Sequence, residues 1–472
     1  MKIRLRSAWI LVLALLFIVL SIMTINAHAE LRLVIVSYEG WEQLQHLASL
    51  GLRIINYQGD ILAALSHDQQ IEQLRRAGFE VIVLDAVSDP ELYYLAYPSP
   101  ADNLAPLSSA KAAYPYGKDV YIVKATPAQA EMLAIRGTKI VKLPDFVVLP
   151  RPRARLQAGW VYSPAIQAMV DAVSPTLLIH HVCKLQDDDS LAYCNELGTR
   201  YSYATAKLNE AAQYLYNEYA VLGLSVTYDP FVYNSKPMTN VVAELPGVGT
   251  DSKHIYIICA HYDSRSDIPY HIAPGADDNA SGSAAVLEAA RILSQQQFPR
   301  TLRFIHFAGE EQGLIGSAHY VVEAFQRGDL IDGVINLDMI GYESVPPNDH
   351  IVEVHAGTDL ASIALADALI DNISGYSLLL VPQKITEDAT SLSDQASFWN
   401  YGYPAILGIE DFHQDFNPNY HKTSDTLAHM QTQMMVEYTK ACVATLAELA
   451  SQPSILTPTL TLRQFLPIVL LQ

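Results

Sequence analysis

Between residues 255 and 450 the chain alternates apolar runs with amphipathic stretches, and this alternation constrains its fold more than any other feature. The pattern predicts strands at 255–259, 301–307, 333–337 and 405–409 and helices at 281–293, 314–325, 360–373 and 430–450. Such alternation is typical of a mixed, mostly parallel sheet with helices on both faces. In these sheets, binding sites form just beyond the carboxyl ends of the strands. We therefore predict an α/β domain over residues 161–452 with its site at one edge of the sheet.

Charged side chains occupy the positions where such a fold places a site. Four of them directly follow predicted strands: His261, Glu310, Glu311 and Asp338. Because parallel strands end at the same edge of a sheet, we expect these side chains to meet. A lone pair of glutamates is usually the solvated start of a helix, but the apolar residues 304–307 before this pair indicate a strand end.

Together with two residues from loops, these side chains form a ligand set for metal ions. The set contains two histidines and three carboxylates: His261, Asp278, Glu311, Asp338 and His421. Without cysteine it suits Zn²⁺, and less well Mn²⁺ or Co²⁺. Two metal ions about 3.5–4 Å apart need a carboxylate that bridges them. Asp278 lies in a loop of glycine and small residues that permits close backbone approach, so we expect it to bridge, with Asp277 as the alternative.

Other residues near the ligands have expected supporting roles. One glutamate of the pair can bind metal while the other acts as general base. Asp263, two residues after His261, can orient that imidazole. Asp425, four residues after His421, can orient that ring or cap the following helix. Three further histidines are interpreted as structural: His306, His319 and His355.

These motifs resemble those of the co-catalytic di-zinc aminopeptidases, the family of the secreted bacterial leucyl aminopeptidases in peptidase clan MH. The resemblance covers roughly residues 198–450 and rests on five motifs in the same order: His-x-Asp, G-A-D-D-x-A-S-G, E-E-x-G-L, L-D-M and His-x-Thr. It implies a zinc exopeptidase fold with two Zn²⁺ ions. In that pattern Asp278 bridges the ions. Glu311 and His421 complete one zinc, and His261 and Asp338 complete the other.

The resemblance also implies the reaction. Glu310 is the expected general base, acting on a metal-bridged water, and Tyr420 is the expected partner of the oxyanion. The expected substrates are the N-termini of peptides or proteins. Gln395 stands where the family often has a histidine, which leaves the corresponding part of the substrate pocket open. The alternatives are a single-zinc enzyme like the glutaminyl cyclases and a non-catalytic binding ectodomain on the same fold.

Residues 30–150 follow a different pattern, with an internal repeat. Residues 60–85 align with 119–145, so that Leu74 matches Leu133 and Gly78 matches Gly137. Each repeat reads as strand, helix and strand, and we expect two of them to form a small α+β, ferredoxin-like domain. A segment rich in proline and tyrosine between them, residues 93–116, is expected to be an exposed loop. The domain reads either as a propeptide that aids folding or inhibits, or as a permanent accessory domain.

The two ends and the composition indicate an exported protein. Residues 1–29 have the basic start, apolar run and Ala27-His28-Ala29 site of a cleaved signal peptide. Residues 151–160 read as a linker, in which the arginines at 151–155 form a candidate processing site, and residues 453–472 read as a tail. The net charge of −20 argues against nucleic acid and anionic membrane surfaces as partners. We expect a secreted protein, extracellular or periplasmic, without membrane contact after signal cleavage.

The four cysteines fit this compartment. Cys183 and Cys194 flank a short polar stretch, and a bridge between them is favoured in an oxidising environment. Cys259 lies in a predicted strand and Cys442 in a predicted helix. Both are expected to be buried free thiols.

Overall fold

The computed structural model describes residues 31–87, 92–98, 107, 110–150, 160–186, 198–346 and 348–452. The expected signal peptide, most of the linker and the C-terminal tail lie outside the described residues. The chain divides into two compact units. The first contains the described part of Met1–Leu92 together with Leu143–Val147, and the second contains that of Tyr93–Lys142 and Val148–Gln472. The expected domain boundary near residue 150 stays a prediction.

The first unit is built around a four-stranded antiparallel sheet. Its elements are β1 (Leu31–Ser37), α1 (Gly40–Ser49), β2 (Arg53–Gln58), β3 (Ile61–His67), α2 (Asp68–Arg76) and β4 (Val81–Val87). The strand order β2-β3-β1-β4 is the order of a ferredoxin-like fold. Helix α2 buries Ile71 and Leu74, which lie three residues apart on one helix face.

The second unit begins with a sheet of the same strand order. Its elements are β5 (Tyr93–Tyr97), β6 (Ala112–Gly117), β7 (Val120–Lys124), α3 (Pro127–Ile135) and β8 (Lys139–Lys142), and the strand order is β6-β7-β5-β8. A capping box starts α3, since the Thr126 hydroxyl accepts from the Gln129 N–H and the Gln129 side chain accepts from the Thr126 N–H. The chain leaves the helix through Gly137, whose φ of +90° strains any residue with a Cβ.

The structure confirms the two strand–helix–strand repeats and corrects their surroundings. The repeats are β3–α2–β4 and β7–α3–β8, and each belongs to its own four-stranded sheet instead of forming one sandwich. The exposed loop predicted over residues 93–116 is wrong at both ends, because β5 and β6 lie there. Tyr93 and Tyr94 are buried in β5. Tyrosine is common in strands as well as in loops, so its frequency in this segment did not distinguish the two.

The rest of the second unit supplies a large sheet and its covering helices. In chain order the elements are α4 (Pro164–Asp171), α5 (Pro175–Leu185), α6 (Thr205–Val221), β9 (Ser225–Tyr233), β10 (Lys236–Leu245), β11 (His254–His261), α7 (Gly282–Leu293), β12 (Thr301–Phe307), α8 (Ile315–Arg327), β13 (Leu330–Leu337), β14 (Ile351–His355), α9 (Leu360–Gly375), β15 (Val381–Ile385), α10 (Gln395–Asn400), β16 (Ala405–Glu410) and α11 (Thr432–Ser451). Every strand and helix predicted between residues 255 and 450 is present.

The large sheet has eight strands in the order β15-β14-β16-β13-β11-β12-β10-β9. Its centre is parallel, through the pairs β16/β13, β13/β11 and β11/β12. Antiparallel pairs flank this centre at β14/β16, β10/β12 and β9/β10. The predicted mixed, mostly parallel sheet is therefore confirmed, and its four central strands β16, β13, β11 and β12 end at one edge.

Helix α7 fixes the position of the loop that precedes it. All of its residues except Arg291 are buried, and it packs against α11 and β11. The alanines at 284, 285 and 289 permit close approach to the sheet, while burial of Leu287 and Leu293 each contributes about 1.5–3 kcal/mol. The start of α7 is thus held rigidly beneath the strand ends.

The cysteine predictions are partly tested. Cys183 is disulfide-bonded, while Cys194 lies outside the described residues. Cys259 and Cys442 are buried free thiols, as expected. Among the helices in the described ranges, none is both long and apolar enough to span a membrane.

Candidate metal centre

The carboxyl ends of β11, β12 and β13 bring the predicted residues together. His261 is the last residue of β11, and the register of the parallel pair places it beside Phe307 at the end of β12. Glu310 and Glu311 follow β12 after a turn at Gly309, and Asp338 follows β13. All four side chains are buried in the fold. Their meeting follows from parallel pairing, because each strand delivers its next residues to the same edge.

Asp278 reaches this edge from the irregular turn Ala276–Ser281 before α7. Two glycines make room for the turn. A Cβ on Gly275 would lie 2.3 Å from the Asp278 carbonyl oxygen, and a Cβ on Gly282 would lie 2.7 Å from the Leu337 carbonyl oxygen. The Asp425 carboxylate holds the turn by accepting from the N–H groups of Asp277 and Asp278 at 2.9 and 3.0 Å. The sequence predicts that Asp425 orients His421 or caps a helix. Both predictions are wrong, because its carboxylate binds the backbone of the Asp278 turn instead.

Asp278 lies between two histidines, and each of its carboxylate oxygens faces the Nε2 of one of them. His261 Nε2 lies 3.2 Å from Asp278 Oδ1, and His421 Nε2 lies 3.3 Å from Asp278 Oδ2. Asp338 Oδ1 is 3.3 Å from His261 Nε2, and Glu311 Oε2 is 2.9 Å from His421 Nε2. The side chains thus form two groups of three possible ligands with Asp278 in both: His261, Asp278 and Asp338, and Asp278, Glu311 and His421.

The polar atoms of the second group fit a cation. Both carboxylate oxygens of Glu311 and the Nε2 of His421 are buried, and no other group in the described part of the chain is placed to hydrogen-bond them. Such atoms are costly to bury unless something binds them. Burial disfavours the charged form of His421, yet Glu311 and Asp278 raise its pKa to about 9. The pocket therefore attracts positive charge at the point where the ligand atoms converge, as a zinc site does.

The first group of His261, Asp278 and Asp338 also favours positive charge. Burial disfavours protonation of His261, but Asp338 and other carboxylates raise its pKa well above the usual value. For Asp278, burial favours the neutral form, while the adjacent imidazoles of His261 and His421 hold its pKa below the usual range. Asp278 is therefore ionised, which a bridging ligand requires.

Asp263 ties the first ligand to the glutamate pair. His261 Nδ1 lies 3.1 Å from the Asp263 carbonyl oxygen and 3.5 Å from its Oδ1, so the Nε2 is free to face the ligand cluster. The Asp263 carboxylate accepts from the N–H groups of Glu310 and Glu311 at 3.3 Å each, and from the Ser202 hydroxyl at 2.8 Å. The backbone carbonyl and the carboxylate of Asp263 thus both face the His261 imidazole, and the carboxylate also holds the backbone of the glutamate pair.

Glu310 lies beside the ligands and belongs to neither group of three. Its side chain is 1% exposed, and its Oε1 is 3.1 Å from the Lys139 ammonium. Burial raises the pKa of Glu310 to about 8, against the lowering effects of Lys139 and His261. A carboxyl group in such surroundings has the proton affinity that a general base needs near neutral pH.

Tyr420 borders the same space. Its ring stacks on the His421 ring with centroids 3.7 Å apart, and burial raises its pKa, so the phenol stays protonated. Tyr420, Glu311, His421 and Arg265 line one side of a cavity of about 40 Å³. The phenol is therefore available as a hydrogen-bond donor next to the ligands.

Asp277 and Gln395 lie near the site and are used elsewhere. Asp277 accepts from the Gly341 N–H at 2.8 Å and the Asn417 amide at 2.7 Å, which leaves Asp278 as the residue between the histidines. Gln395 is fully buried in α10, where its amide donates to the Thr390 carbonyl at 2.8 Å. It therefore has a structural place in this chain.

Sequence reasoning missed two residues that contact the centre, Lys139 and Arg265. Lys139 lies in β8, and Arg265 donates to the Glu311 carbonyl at 2.7 Å and to the Glu131 carboxylate at 2.8 Å. A signal for Lys139 was present in the repeat. Its aligned residue in the first repeat is Glu80, which is exposed, so a reversal of charge marks the position.

The three histidines expected to be structural have partners away from the centre. His306 is buried against the Tyr219 hydroxyl at 2.7 Å. His319 lies 3.1 Å from Asp229, and His355 lies 2.8 Å from Glu353. With further carboxylates or histidines, the last two also form groups of possible metal ligands.

Comparisons with known proteins agree with this fold. The profile of peptidase family M28 matches residues 240–446. Leucine aminopeptidase 1 of Trichophyton equinum is 30% identical over 305 residues, covering 61% of this chain and 78% of that protein. The LapA aminopeptidase of Legionella pneumophila has a TM-score of 0.58 at 23% identity, covering 77% of this chain and 100% of that chain. A glutaminyl cyclase of Macrostomum lignano has a TM-score of 0.52 at 18% identity, covering 65% of this chain and 100% of that chain. The likeness to LapA confirms the predicted fold class.

Proposed function

The chain belongs to peptidase family M28, and from this membership and the site geometry we propose that it is a di-zinc aminopeptidase acting on the N-termini of peptides or proteins. A zinc-dependent aminopeptidase follows from the family and its leucine aminopeptidase relatives. The predicted family resemblance is thereby confirmed. The use of two zinc ions, the role of each residue and export from the cell are the parts that we propose beyond the family.

The arrangement of Asp278 is the observation that carries the two-zinc proposal. Its two oxygens face different histidines at 3.2 and 3.3 Å, and each histidine has a second carboxylate beside it. We assign His261 and Asp338 to one zinc, Glu311 and His421 to the other, and Asp278 to both. Manganese or cobalt are possible substitutes, because the set contains only nitrogen and oxygen donors.

Glu310 is the proposed general base. His261, Asp278, Asp338, Glu311 and His421 would hold the zinc ions, which would supply a water of lowered pKa and polarise the scissile carbonyl. The Glu310 carboxylate takes a proton from the attacking water while the water oxygen bonds to the carbonyl carbon and the carbonyl oxygen becomes negative. The C–N bond breaks when that oxygen returns its electrons and re-forms the carbonyl. Glu310 then delivers the proton to the leaving amine. Its burial keeps the carboxylate basic and separates it from bulk water.

Tyr420 is the proposed donor to the oxygen that becomes negative during attack. Its phenol is kept protonated by burial and lies next to His421. A positioned hydroxyl of this kind stabilises an oxyanion. Asp263 supports the reaction indirectly, because it orients His261 and the backbone of Glu310.

Glu310→Ala is the experiment that tests the roles of base and ligands together. We expect turnover of leucyl p-nitroanilide to fall by about 10²–10⁴-fold, the range for loss of a general base. Zinc content by elemental analysis should stay near two per chain, since Glu310 belongs to neither group of possible ligands. Glu387→Ala, at an exposed position, is the matched control and should match the wild type. Full turnover in the Glu310 variant would remove Glu310 from the mechanism.

The single-zinc glutaminyl cyclase remains the alternative from a different enzyme class. Its support is a likeness of fold, and the complete pair of ligand groups favours the hydrolase instead. Zinc content near one per chain, with pyroglutamate formed from glutaminyl peptides, would favour the cyclase. A folded protein with neither activity would favour a non-catalytic binding ectodomain.

Export and a regulatory N-terminal region complete the proposal. The signal sequence at residues 1–29 and the disulfide at Cys183 support an extracellular or periplasmic location. We further propose that the N-terminal region acts as an inhibitor or folding aid. N-terminal sequencing of the exported protein distinguishes a removed propeptide from a permanent accessory domain. A start near Arg155 supports the propeptide, while a fully active protein starting at Glu30 supports the accessory domain.

A further inference from the structure

A series of hydrogen bonds leads from α6 to the backbone of the proposed metal ligand His261. The Tyr219 hydroxyl of α6 lies 2.7 Å from His306 Nε2, and His306 Nδ1 lies 3.2 Å from the Ser283 hydroxyl. That hydroxyl donates to the His261 carbonyl at 2.9 Å. This hydrogen-bond chain therefore joins α6, β12, α7 and β11, and it ends on the last residue of β11.

Every member of the hydrogen-bond chain is buried. Tyr219, Ser283 and His306 are 0% exposed, and His261 is 1% exposed. A polar group in such surroundings is costly to leave without a partner, so each member depends on its neighbour. The pairing of β11 with β13 ends at Cys259, and the His261 carbonyl is bonded from α7 through Ser283. Loss of any member therefore leaves a buried polar atom unpaired.

The chemistry of the final acceptor determines the direction of every bond. A carbonyl oxygen only accepts, so the single proton of the Ser283 hydroxyl points to His261. The Ser283 oxygen must then accept from His306 Nδ1, which carries a proton. Burial lowers the pKa of His306 to about 3, with a smaller contribution from His181, so the ring is neutral and its Nε2 has no proton. Nε2 therefore accepts from the Tyr219 hydroxyl.

The hydrogen-bond chain ends at the point from which two residues of the site project. His261 ends β11, and Asp263 follows two residues later. The Asp263 carboxylate contacts the His261 imidazole and accepts from the N–H groups of Glu310 and Glu311. A shift of the His261 backbone would move the imidazole and this carboxylate together. Partners that orient a metal-binding histidine tune its affinity for the metal, and here the backbone of the histidine is what they hold.

We propose that Ser283, His306 and Tyr219 are positioning residues for the zinc centre, which hold the His261 backbone through one directed chain of hydrogen bonds. This inference rests on the proposed function, since His261 is assigned there to a zinc ion. Only the ion of the first ligand group should respond to a break in the hydrogen-bond chain, because His261 belongs to that group alone. His306 is then the middle of a connection between the core and the site.

Nuclear magnetic resonance of the full-length, zinc-loaded protein with isotope-labelled histidine tests the direction of the bonds. The His306 ring signals are assigned by their loss in His306→Asn. At neutral pH we expect the wild-type ring to be the neutral Nδ1–H tautomer, since the Ser283 oxygen has no proton left for it. A charged ring or an Nε2–H tautomer in the wild type overturns the proposal. This measurement does not depend on hydrolysis.

Zinc affinity, measured by competition with a chelator, tests whether the hydrogen-bond chain positions the ligand. Ser283→Ala should weaken one of two zinc ions by about tenfold, the lower end of the range for residues that support a metal ligand, and leave the other unchanged. His306→Leu should weaken the same ion. His306→Asn, whose amide can donate from the place of Nδ1, should restore most of the affinity. Tyr219→Phe, the change farthest from His261, should have the smallest effect.

Tyr438→Phe is the matched control. It also removes the hydroxyl of a fully buried tyrosine that donates to a carbonyl, here that of Glu353. It should lower the unfolding midpoint as Tyr219→Phe does, and leave the affinity for both zinc ions unchanged. Ser283→Ala removes one oxygen and keeps the imidazole in place, so it carries the test where His306→Leu does not fold.

Two outcomes separate failure of the positioning role from failure of the proposed function. Wild-type zinc affinities in Ser283→Ala and His306→Leu, with lowered unfolding midpoints, would make the hydrogen-bond chain part of the core alone and overturn the proposal, leaving the aminopeptidase in place. A folded wild type that binds no zinc and does not hydrolyse leucyl p-nitroanilide overturns both.

Discussion

The cluster of Glu353, His355 and His413 and the proposed metal centre use the same residue types, and they differ in how their polar atoms are satisfied. The Glu353 carboxylate contacts the imidazoles of His355 and His413 at 2.7–2.8 Å and accepts from the backbone N–H of His413 at 3.0 Å. His355 Nδ1 accepts from the Thr390 N–H at 3.1 Å. This cluster is therefore closed by its own hydrogen bonds.

By comparison, the Glu311 and His421 side of the metal centre has unsatisfied polar atoms. The oxygens of Glu311 and the Nε2 of His421 converge without hydrogen-bond partners among the described residues. A group of histidines and carboxylates whose lone pairs remain unsatisfied favours a cation, whereas a satisfied cluster gains little from one. Variants in the two clusters should reveal this difference, with effects that decrease from the bridging carboxylate to the closed cluster.

Replacing the bridging carboxylate should have the largest effect. We expect Asp278→Asn to lose most of its zinc and all measurable hydrolysis, because one residue serves both ligand groups. Asp277→Asn is the matched comparison, because the Asp277 carboxylate accepts from the Gly341 N–H and the Asn417 amide and lies in neither ligand group. Elemental analysis and a leucyl p-nitroanilide assay measure both. Zinc loss in the Asp277 variant, with zinc retained in the Asp278 variant, would reverse the assignment.

Loosening the support of one ligand should have an intermediate effect. Asp263→Asn weakens the 3.5 Å contact of the carboxylate with His261 Nδ1 and the hydrogen bonds from the N–H groups of the glutamate pair. The backbone carbonyl of residue 263, 3.1 Å from the same Nδ1, is unchanged. We expect a loss of about 10–100-fold in zinc affinity or in kcat/KM, measured by titration against a chelator. Ser202→Ala leaves the Asp263 carboxylate in place and removes a hydroxyl that donates to Asp263 and accepts from the Gly309 N–H, so it should cost less. An unchanged zinc affinity and rate in the Asp263 variant would show that the ligand needs no such support.

Disrupting the closed cluster should leave the enzyme working. Glu353→Gln should not change zinc content or kcat/KM, and should lower the free energy of unfolding by about 1–3 kcal/mol at pH 7 through weaker hydrogen bonds. A loss of zinc in this variant would mean that the closed cluster holds a metal after all.

The stability difference should also depend on pH. Although burial opposes it, hydrogen bonds from His355 and His413 hold the pKa of Glu353 below its usual value. A carboxyl group whose pKa falls on folding stabilises the protein above its unfolded pKa, about 4.3, and loses that effect as the pH falls through the folded pKa. The gap in urea midpoint between wild type and variant should therefore be full at pH 7 and shrink in acid below about pH 4. A gap that is constant with pH would contradict this origin.

Much of the fold was predictable because its signals are local. The apolar run at β11 and the alanine face of α7 carry their periodicity within a few residues, so both were identified from sequence. The strand β9 was missed because its exposed edge position mixes polar and apolar residues. The segment 93–116 was misinterpreted because its buried tyrosines resemble loop composition until the strand partner is known.

In the candidate site, too, the features with local sequence signals were predictable and those that depend on packing were not. The sequence alone determined the residue types and their order after the strands, because the side chain that follows a strand is a property of the chain itself. Only the tertiary structure decided that Asp425 holds the Asp278 turn and that Lys139 meets Glu310. These contacts join residues more than a hundred positions apart, and they depend on how separate elements pack. No local period encodes such packing.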